Sequence, residues 1–267
     1  MRSRMQTTTL VATGALLALT LAGCAGTPAT SGPGASTTSS ATASGSITVF
    51  AAASLQQTFT TLGHDFEQAH PGTTVTFSFA GSSDLVTQIQ NGAPADVIAS
   101  ADQATTAKLG ERALASGSPR DFATNTLEIA VAPGNPHHIG TLEDLTDSGV
   151  QLVTCAAPVP CGAATASVER SSGVDLHPVS EEQSVTDVLG KVRSGQADAG
   201  IVYRTDVQGA GGDVDGVPFA AADDAVNTYP ISVLRGAADP RLARAFTAFV
   251  LSAEGQRVLA DAGFGKP

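Results

Sequence analysis

Residues 47–55 read Ile-Thr-Val-Phe-Ala-Ala-Ala-Ser-Leu, an apolar run that closes with small residues and one serine. The first four residues have the β-branched and aromatic composition of a buried strand. Apolar side chains then recur at helical spacing, at Leu55, Phe59, Leu62 and Phe66. The stretch therefore predicts a strand that passes almost directly into a helix, with Ser54 at the junction.

The same strand-to-helix pattern recurs along the chain. Further strands are predicted at residues 75–79, 95–100, 127–132, 150–154, 199–203 and 229–234. Apolar stripes typical of amphipathic helices lie between several of them, and two more helices are predicted near the C-terminus, at 242–250 and 259–263. This alternation predicts an α/β protein with largely parallel sheets.

Four of the junctions place small or hydroxyl residues where a helix begins, at residues 53–55, 80–84, 160–162 and 183–185. The first turn of a helix leaves N–H groups unpaired and carries partial positive charge, so each junction can receive an anion. A serine in such a place more commonly serves only as a helix cap. The number of junctions favours binding, because parallel sheets gather them at the carboxyl ends of their strands.

The N-terminus has the order of features of a signal peptide over residues 1–23, with two arginines, an apolar run at 10–21 and small residues before Cys24. The apolar run is too short for a membrane span, which takes about 20 residues. Leu-Ala-Gly-Cys at 21–24 resembles the lipobox of bacterial lipoproteins, which implies that Cys24 is acylated. An ordinary secretory signal with a chance cysteine is the alternative.

Every residue from 25 to 45 is Ala, Gly, Pro, Ser or Thr, so this segment has no large apolar side chain to bury. Residues 24–45 are therefore predicted to be a lipidated, flexible linker that holds the folded part at the extracytoplasmic face of the cell membrane. The folded part, residues 46–267, is long enough for one large domain or two lobes, and two lobes are favoured.

The charge of the chain excludes one class of partner. The sequence has 14 basic and 25 acidic side chains; loss of Arg2 and Arg4 with the signal peptide leaves 12 against 25, a net charge of −13. No cluster of Lys or Arg occurs that would meet a phosphate backbone, so nucleic acid is not expected as a partner. An anionic ligand would have to be held by local groups, since the overall charge weakly opposes it at long range.

Two further cysteines, Cys155 and Cys161, lie in the segment Thr-Cys-Ala-Ala-Pro-Val-Pro-Cys-Gly. Export places them in an oxidising compartment, where a disulfide between them is the natural expectation. A metal site or a redox-active thiol pair is the alternative, although no histidine flanks the pair and the spacing is not Cys-x-x-Cys.

Signs of catalysis are weak. The five histidines are scattered, and the sequence has neither Gly-x-Ser-x-Gly nor a Gly-rich phosphate-binding loop. A serine hydrolase that uses Ser54 or Ser82 as nucleophile is an alternative, although no candidate base lies near either serine in the sequence. The protein is therefore not expected to be an enzyme.

Four segments taken together resemble one family. They are residues 47–55, Phe-Ala-Gly-Ser-Ser-Asp-Leu at 79–85, Gly-Ala-Pro-Ala-Asp-Val-Ile-Ala-Ser-Ala-Asp-Gln at 92–103, and Gly-Ile-Val-Tyr at 200–203. In this order they are similar to the periplasmic molybdate-binding proteins of ABC importers, over nearly all of residues 46–267. The resemblance implies a two-lobed periplasmic binding protein of type II, with a ligand cleft between the lobes and two crossover strands.

The resemblance also implies the function. A member of this family captures molybdate or tungstate and delivers it to a membrane permease that works with a cytoplasmic ATPase. No cofactor is expected, and the protein is expected to be a monomer. Molybdenum would be present only inside the bound oxyanion, with no direct bond between the protein and the metal.

Five residues are implied to hold the oxyanion through neutral donors. Ser54 and Ser82 would donate through side chain and amide, Cys161 and Val185 through their amides, and Tyr203 through its hydroxyl. The match is softest at Cys161, where the family has a small non-cysteine residue, so the amide of Gly162 is the alternative donor. Asp96 and Asp102 are expected outside the site, because a carboxylate facing a dianion in a dry cleft costs several kcal/mol.

The predicted lobes divide the chain twice. Lobe 1 would comprise residues 46–126 and 229–267, and lobe 2 would comprise residues 127–228. The crossing strands near 127–132 and 229–234 are expected to form the hinge by which the cleft closes.

Other receptors are alternatives. Sulfate is tetrahedral and doubly charged, and a sequence does not report the radius that a cleft accepts. A ferric site commonly uses paired tyrosines with a carboxylate or histidine, and the two tyrosines here, Tyr203 and Tyr229, are expected to lie well apart. A surface lipoprotein without a transport role is the remaining alternative.

Overall fold

The computed structural model describes residues 44–267, which lie in one compact unit. The signal peptide predicted for residues 1–23, the lipidation of Cys24 and all but the last two residues of the predicted linker lie outside the described residues. Gly45, the last residue of that linker, begins a strand and pairs with Thr73. Among residues 44–267, no helix is long and apolar enough to cross a membrane.

Strands and helices alternate along the described residues. The strands are β1 (Gly45–Ala52), β2 (Thr73–Ala80), β3 (Val97–Ala99), β4 (Arg120–Asn125), β5 (Leu127–Val131), β6 (Leu152–Cys155), β7 (Ser180–Glu182), β8 (Ala199–Tyr203), β9 (Asp215–Val217) and β10 (Asn227–Val233). The α-helices are α1 (Gln56–Ala69), α2 (Ser82–Gln90), α3 (Gln103–Glu111), α4 (Pro160–Ser172), α5 (Val185–Arg193), α6 (Arg204–Ala210), α7 (Pro240–Val250) and α8 (Ala253–Asp261).

The strands form two sheets of the same design. The first has the order β2-β1-β3-β10-β4, and the second has the order β7-β6-β8-β5-β9. In the first sheet β10 is antiparallel to both of its neighbours, and in the second β5 is antiparallel to both of its own. The remaining strands of each sheet run in one direction, as the alternation of strands and helices predicts.

Each sheet has its own hydrophobic core, and we name the two halves by them. Lobe 1 is the first sheet with α1, α7 and α8 on one face, packed through Phe59, Phe66 and Phe246, and with α2 and α3 on the other, packed through Leu85 and Leu109. Lobe 2 is the second sheet with α4, α5 and α6. The core clusters of the two lobes share no residue, so each lobe buries its apolar side chains independently.

The helix α1 shows how the sequence produces these elements. Phe59, Leu62 and Phe66 lie one or two turns apart on the same face and are all fully buried. The helix ends at Ala69 because Pro71, two residues further on, disfavours helical backbone at the residue before it.

The chain crosses between the lobes at two short segments. β4 of the first sheet ends at Asn125 and β5 of the second begins at Leu127, so Thr126 alone lies between them. The return runs from a 3-10 helix at Ala220–Ala225 through Val226 to β10. Each crossing leads directly into the reversed strand of the sheet that it enters, and the crossover strands of the predicted fold are therefore β5 and β10.

Candidate functional site

Helices begin close to the carboxyl ends of five strands. A 3-10 helix at Ala53–Leu55 joins β1 to α1, and α2, α4, α5 and α6 begin within a few residues after β2, β6, β7 and β8 respectively. Four of these junctions are those that the sequence predicts. At the fifth, Tyr203 is the last residue of β8 and the N-cap of α6.

Residues from these five junctions line one small cavity between the lobes. It encloses about 10 Å³, roughly the space that a single water needs. Its lining contains all five residues that the sequence singles out, namely Ser54, Ser82, Cys161, Val185 and Tyr203, together with Ala52, Ala53, Gly81, Ala101, Val159 and Pro160. No charged side chain is among them, so only neutral donors surround the cavity.

Neither Ser54 nor Ser82 acts as a helix cap. The Ser82 hydroxyl oxygen accepts a hydrogen bond from the Ala101 N–H at 3.0 Å, which leaves its own hydrogen available as a donor. The Ser54 hydroxyl lies 3.1 Å from that of Tyr229. At the α5 junction Ser184 does cap, since its side chain accepts from the N–H of the third helical residue. The capping interpretation therefore holds for Ser184 alone of these three serines.

The Tyr203 hydroxyl is the one buried side-chain polar atom in residues 44–267 that has no hydrogen-bond partner. The residue is 1% exposed and lines the cavity. Burial raises the pKa of Tyr203 well above its ordinary value, so the phenol keeps its hydrogen and remains a donor. An unsatisfied buried hydroxyl costs about 1–3 kcal/mol, which an acceptor in the cavity would recover.

The predicted disulfide between Cys155 and Cys161 is present, with 5.7 Å between the Cα atoms. Cys161 is the second residue of α4, behind Pro160, and its N–H belongs to the first turn, which has no partner within the helix. Cys161 lines the cavity and Gly162 does not. A Cβ at Gly162 would stand 2.0 Å from the Ala156 carbonyl oxygen, so this glycine faces the loop after β6.

The two lobes touch beside the cavity. Ser83 of α2 donates its hydroxyl hydrogen to the Pro158 carbonyl oxygen of lobe 2 at 2.6 Å. Gly81 lies against the carbonyl group of Gln183, where an added Cβ would be 2.0 Å from the oxygen. The lobes are therefore closed over the cavity.

The carboxylates of Asp96 and Asp102 make structural hydrogen bonds and do not line the cavity, as the sequence predicts. Asp96 accepts from the N–H groups of Thr48 and Ala238 and so ties β1 to the segment before α7. Asp102 caps α3 by accepting from the Thr105 N–H at 2.7 Å.

Sequence reasoning missed Asp206, a buried acid beside the site. Its carboxylate accepts from the Tyr203 N–H at 3.0 Å, and burial raises its pKa to about 7 against the opposing effect of that hydrogen bond. The signal for it is the spacing of Tyr203 and Asp206, which is that of an N-cap and the third helical residue in a capping box.

The expectation that the two tyrosines lie well apart is wrong. Tyr203 and Tyr229 pack edge to face with 5.9 Å between ring centroids, although their strands belong to different sheets. A ferric site would require phenolates, whereas burial raises the pKa of both residues. In the part of the chain that the structure describes, no group of three or more His, Cys, Asp or Glu is placed to hold a metal ion.

A larger groove of about 840 Å³ lies between α1 and α8 of lobe 1 and α5 and α6 of lobe 2, and it shares Ser54 with the small cavity. Charged side chains line it on both sides, among them Asp65, Arg193 and Asp261. The first turns of α1, α5 and α6 border this groove, but no residue of the α2 or α4 junction does, so all five junctions meet only at the small cavity.

Comparison with known proteins agrees with this architecture. The family model described as bacterial extracellular solute-binding protein matches residues 47–265. The molybdate-binding protein ModA of Mycobacterium tuberculosis H37Rv is 50% identical over 222 residues, which are 83% of this chain and 85% of the relative.

Two solved structures share the fold. The periplasmic molybdate-binding protein of Azotobacter vinelandii has a TM-score of 0.72 at 22% identity, over 83% of this chain and 99% of that one. The sulfate-binding protein SubI of Mycobacterium tuberculosis H37Rv has a TM-score of 0.69 at 21% identity, over 82% and 86%. At these sequence identities, the two similarities show a shared fold and nothing more.

Proposed function

The chain belongs to the bacterial extracellular solute-binding protein family, and we propose that it captures molybdate, or the chemically similar tungstate, for delivery to an ABC transporter. The ligand is inferred from the mycobacterial relative, which is named a molybdate-binding protein and is 50% identical over most of both chains. Such a receptor works without a cofactor and catalyses no reaction.

One observation supports an oxyanion most strongly: five residues from the two lobes line one cavity that has no charged side chain. In the proposed complex Ser54 and Ser82 donate through hydroxyl and amide, and Tyr203 donates the hydroxyl that otherwise lacks a partner. Cys161 and Val185 donate the first-turn amides of α4 and α5. Because Cys161 and not Gly162 lines the cavity, we assign the amide to Cys161.

Neutral donors are sufficient for tight binding of a dianion. Amides at helix N-termini are already oriented by the packing of the helices, so little order is lost when the ligand binds. About seven hydrogen bonds at roughly 1.5–3 kcal/mol each leave micromolar or tighter affinity after the cost of association. A buried cationic side chain would need its own compensation, which this site avoids.

The cavity in this structure has room for about one water, so the lobes must part slightly to hold molybdate and further to release it. We propose that they rotate about Thr126 and Val226, where the chain crosses between the two sheets. The two sheets and their separate cores support the lobe bounds 46–126 with 229–267 and 127–228, except that β10 of lobe 1 already begins at Asn227. The proposed partners are a permease and its ATPase, which a monomer lipidated at Cys24 would reach on its linker.

The rival functions make different demands on the site. A serine hydrolase needs a base beside Ser54 or Ser82, and the lining of the cavity contains no histidine, aspartate or glutamate. A sulfate receptor would use the same neutral donors. We favour molybdate over sulfate because the molybdate-binding relative shares half of its aligned residues with this chain, whereas the likeness to SubI is one of fold.

Calorimetric titration of the purified protein with molybdate, tungstate, sulfate and phosphate tests the proposal. We expect micromolar or tighter binding of molybdate and tungstate, with sulfate and phosphate at least about tenfold weaker, a difference of about 1.4 kcal/mol. Tight sulfate binding without molybdate binding would refute the assignment. Ester hydrolysis that disappears in Ser54→Ala would instead support the hydrolase.

A further inference from the structure

A chain of buried side-chain hydrogen bonds connects the first crossing between the lobes to the cavity. The amide nitrogen of Asn125, the last residue of β4, donates to the Thr205 hydroxyl at 2.7 Å and to the Tyr229 hydroxyl at 3.4 Å. The Tyr229 hydroxyl in turn lies 3.1 Å from the Ser54 hydroxyl. Asn125, Thr205 and Tyr229 are all buried, so water does not compete for these bonds.

The hydrogen bond made by the side-chain oxygen of Asn125 fixes the orientation of its amide group. Its oxygen accepts a hydrogen bond from the Thr126 N–H at 3.1 Å, a contact that an amide nitrogen could not make. The nitrogen must therefore face Thr205 and Tyr229, and its two hydrogens are both used. Asn125 thus acts only as a donor toward Tyr229.

This donor favours one direction for the bond between Tyr229 and Ser54, because it occupies one of the two acceptor positions of the Tyr229 oxygen. A phenol has one hydrogen, and the Tyr229 oxygen already accepts from Asn125. Burial raises the pKa of Tyr229 above its ordinary value, so the hydroxyl keeps that hydrogen. Beside it lie the hydroxyls of Ser54, at 3.1 Å, and of Tyr203, which makes no hydrogen bond in this structure. In the relay the nearer Ser54 oxygen accepts the Tyr229 hydrogen, which leaves the hydrogen of Ser54 unused. Ser82 has the same arrangement, with the Ala101 N–H as the donor to its oxygen.

We propose that Tyr229 and Asn125 are positioning residues for oxyanion binding, which hold Ser54 so that its hydroxyl hydrogen points into the cavity. The relay runs Asn125 to Tyr229 to Ser54 to ligand, with every hydrogen bond donated in the same direction. Bonds aligned in this way strengthen one another, so the Ser54 hydroxyl becomes a better donor. The inference rests on the proposed function, since it requires that an anion occupies the cavity.

A double-mutant cycle on the full-length protein separates positioning from simple packing. Tyr229→Phe removes the hydroxyl but keeps the ring, which packs on Phe122 and Phe264. We expect Tyr229→Phe to weaken molybdate binding by about 3- to 10-fold when Ser54 is present. In the Ser54→Ala background the same change should weaken binding by less than about twofold.

The outcomes are distinct. An equal loss in both backgrounds, or no loss in either, would overturn the relay. Asn125→Ala provides a second test. It should weaken molybdate binding when Ser54 is present, and it should leave the molybdate affinity of the Ser54→Ala variant unchanged. Tyr203→Phe and Ser82→Ala are measured in parallel. If Tyr203→Phe and Ser82→Ala weaken binding and Tyr229→Phe does not, the relay is wrong but the proposed site stands. If none of the three changes weakens binding, both the proposed site and the relay are wrong.

Discussion

Gly81 of lobe 1 lies so close to Gln183 of lobe 2 that a Cβ on Gly81 would stand 2.0 Å from the Gln183 carbonyl oxygen. The backbone of Gly81 has φ −57° and ψ 136°, which any residue adopts without strain. The glycine is therefore required by the approach of the two lobes and not by its own conformation.

Gly81→Ala should separate closure from folding. The added methyl group fits an open cleft but clashes with Gln183 in the closed one, so we expect molybdate affinity to fall by at least about tenfold, or 1.4 kcal/mol. The unfolding midpoint without ligand should change little. Calorimetry and thermal denaturation of the variant measure the two quantities.

The control for this change is Gly110→Ala on α3, where an added Cβ meets nothing within 4 Å. It should keep full affinity and be as stable as the parent or slightly more so. Full affinity in Gly81→Ala would mean that ligand binding does not require the contact between Gly81 and Gln183.

Loss of a direct donor should weaken binding without unfolding the protein. Ser82→Ala and Tyr203→Phe each remove one hydroxyl that would bond to a charged ligand, so each should cost about 1–3 kcal/mol of binding free energy. Ser167→Ala is the control, because its hydroxyl bonds only within α4, as a donor to the Ala163 carbonyl and as an acceptor from Arg170. Unchanged affinity in both site variants would mean that the anion binds elsewhere.

The disulfide should matter for stability and for affinity. Cys155 and Cys161 are six positions apart in the sequence, and closing so short a loop stabilises by about 2 kcal/mol on the chain-entropy model. Cys155→Ser should lower the free energy of unfolding by about that amount and also weaken molybdate binding, because the Cys161 amide loses its tether. Urea denaturation and calorimetry test both effects; an unchanged affinity would show that α4 alone positions the amide.

Asp206 predicts a characteristic pH dependence of stability. In the folded protein its pKa is raised from 3.8 to about 7, so its carboxyl keeps a proton that the unfolded chain loses near pH 4. Its contribution to stability is therefore fully present below pH 4, and it is lost as the pH rises toward 7. The slope is at most about 1.4 kcal/mol per pH unit.

The comparison that isolates this group is Asp206→Asn, whose side-chain oxygen can still accept from the Tyr203 N–H. Urea denaturation between pH 4.5 and pH 7.5, values set by the shifted pKa, should show the parent losing stability relative to the variant as the pH rises. Parallel pH profiles for the two proteins would contradict the assignment of a raised pKa to Asp206.

Local patterns in the sequence predict much of this structure. The apolar period of Phe59, Leu62 and Phe66 defines α1, and the small residues after β1 and β2 place two junctions of the cavity. The sequence does not predict the strand β4, because Arg-Asp-Phe-Ala-Thr-Asn begins and ends with polar residues. The sequence does not predict the helix α3 either, because Leu109 is its only large buried apolar side chain and gives no helical period.

Contacts between the lobes are the part that the sequence does not predict. Tyr203 and Tyr229 belong to different sheets, and their proximity depends on how the chain returns through Val226. The link from Asn125 to Ser54 likewise joins residues that are far apart in the chain and have no local signal. The periodicity of apolar residues predicts the strands, the helices and the junctions between them. The relay from Asn125 to Ser54 depends instead on how one lobe packs against the other.

In the proposed complex, neutral donors from both lobes hold molybdate in the small cavity. The most direct test is an anomalous difference map, recorded at the molybdenum absorption edge, from crystals grown with molybdate. We predict a single strong peak whose surrounding oxygens lie within hydrogen-bonding distance of the hydroxyl groups of Ser54, Ser82 and Tyr203. A peak in the larger groove between α1 and α6, or no peak within reach of Ser82 and Tyr203, would contradict the account.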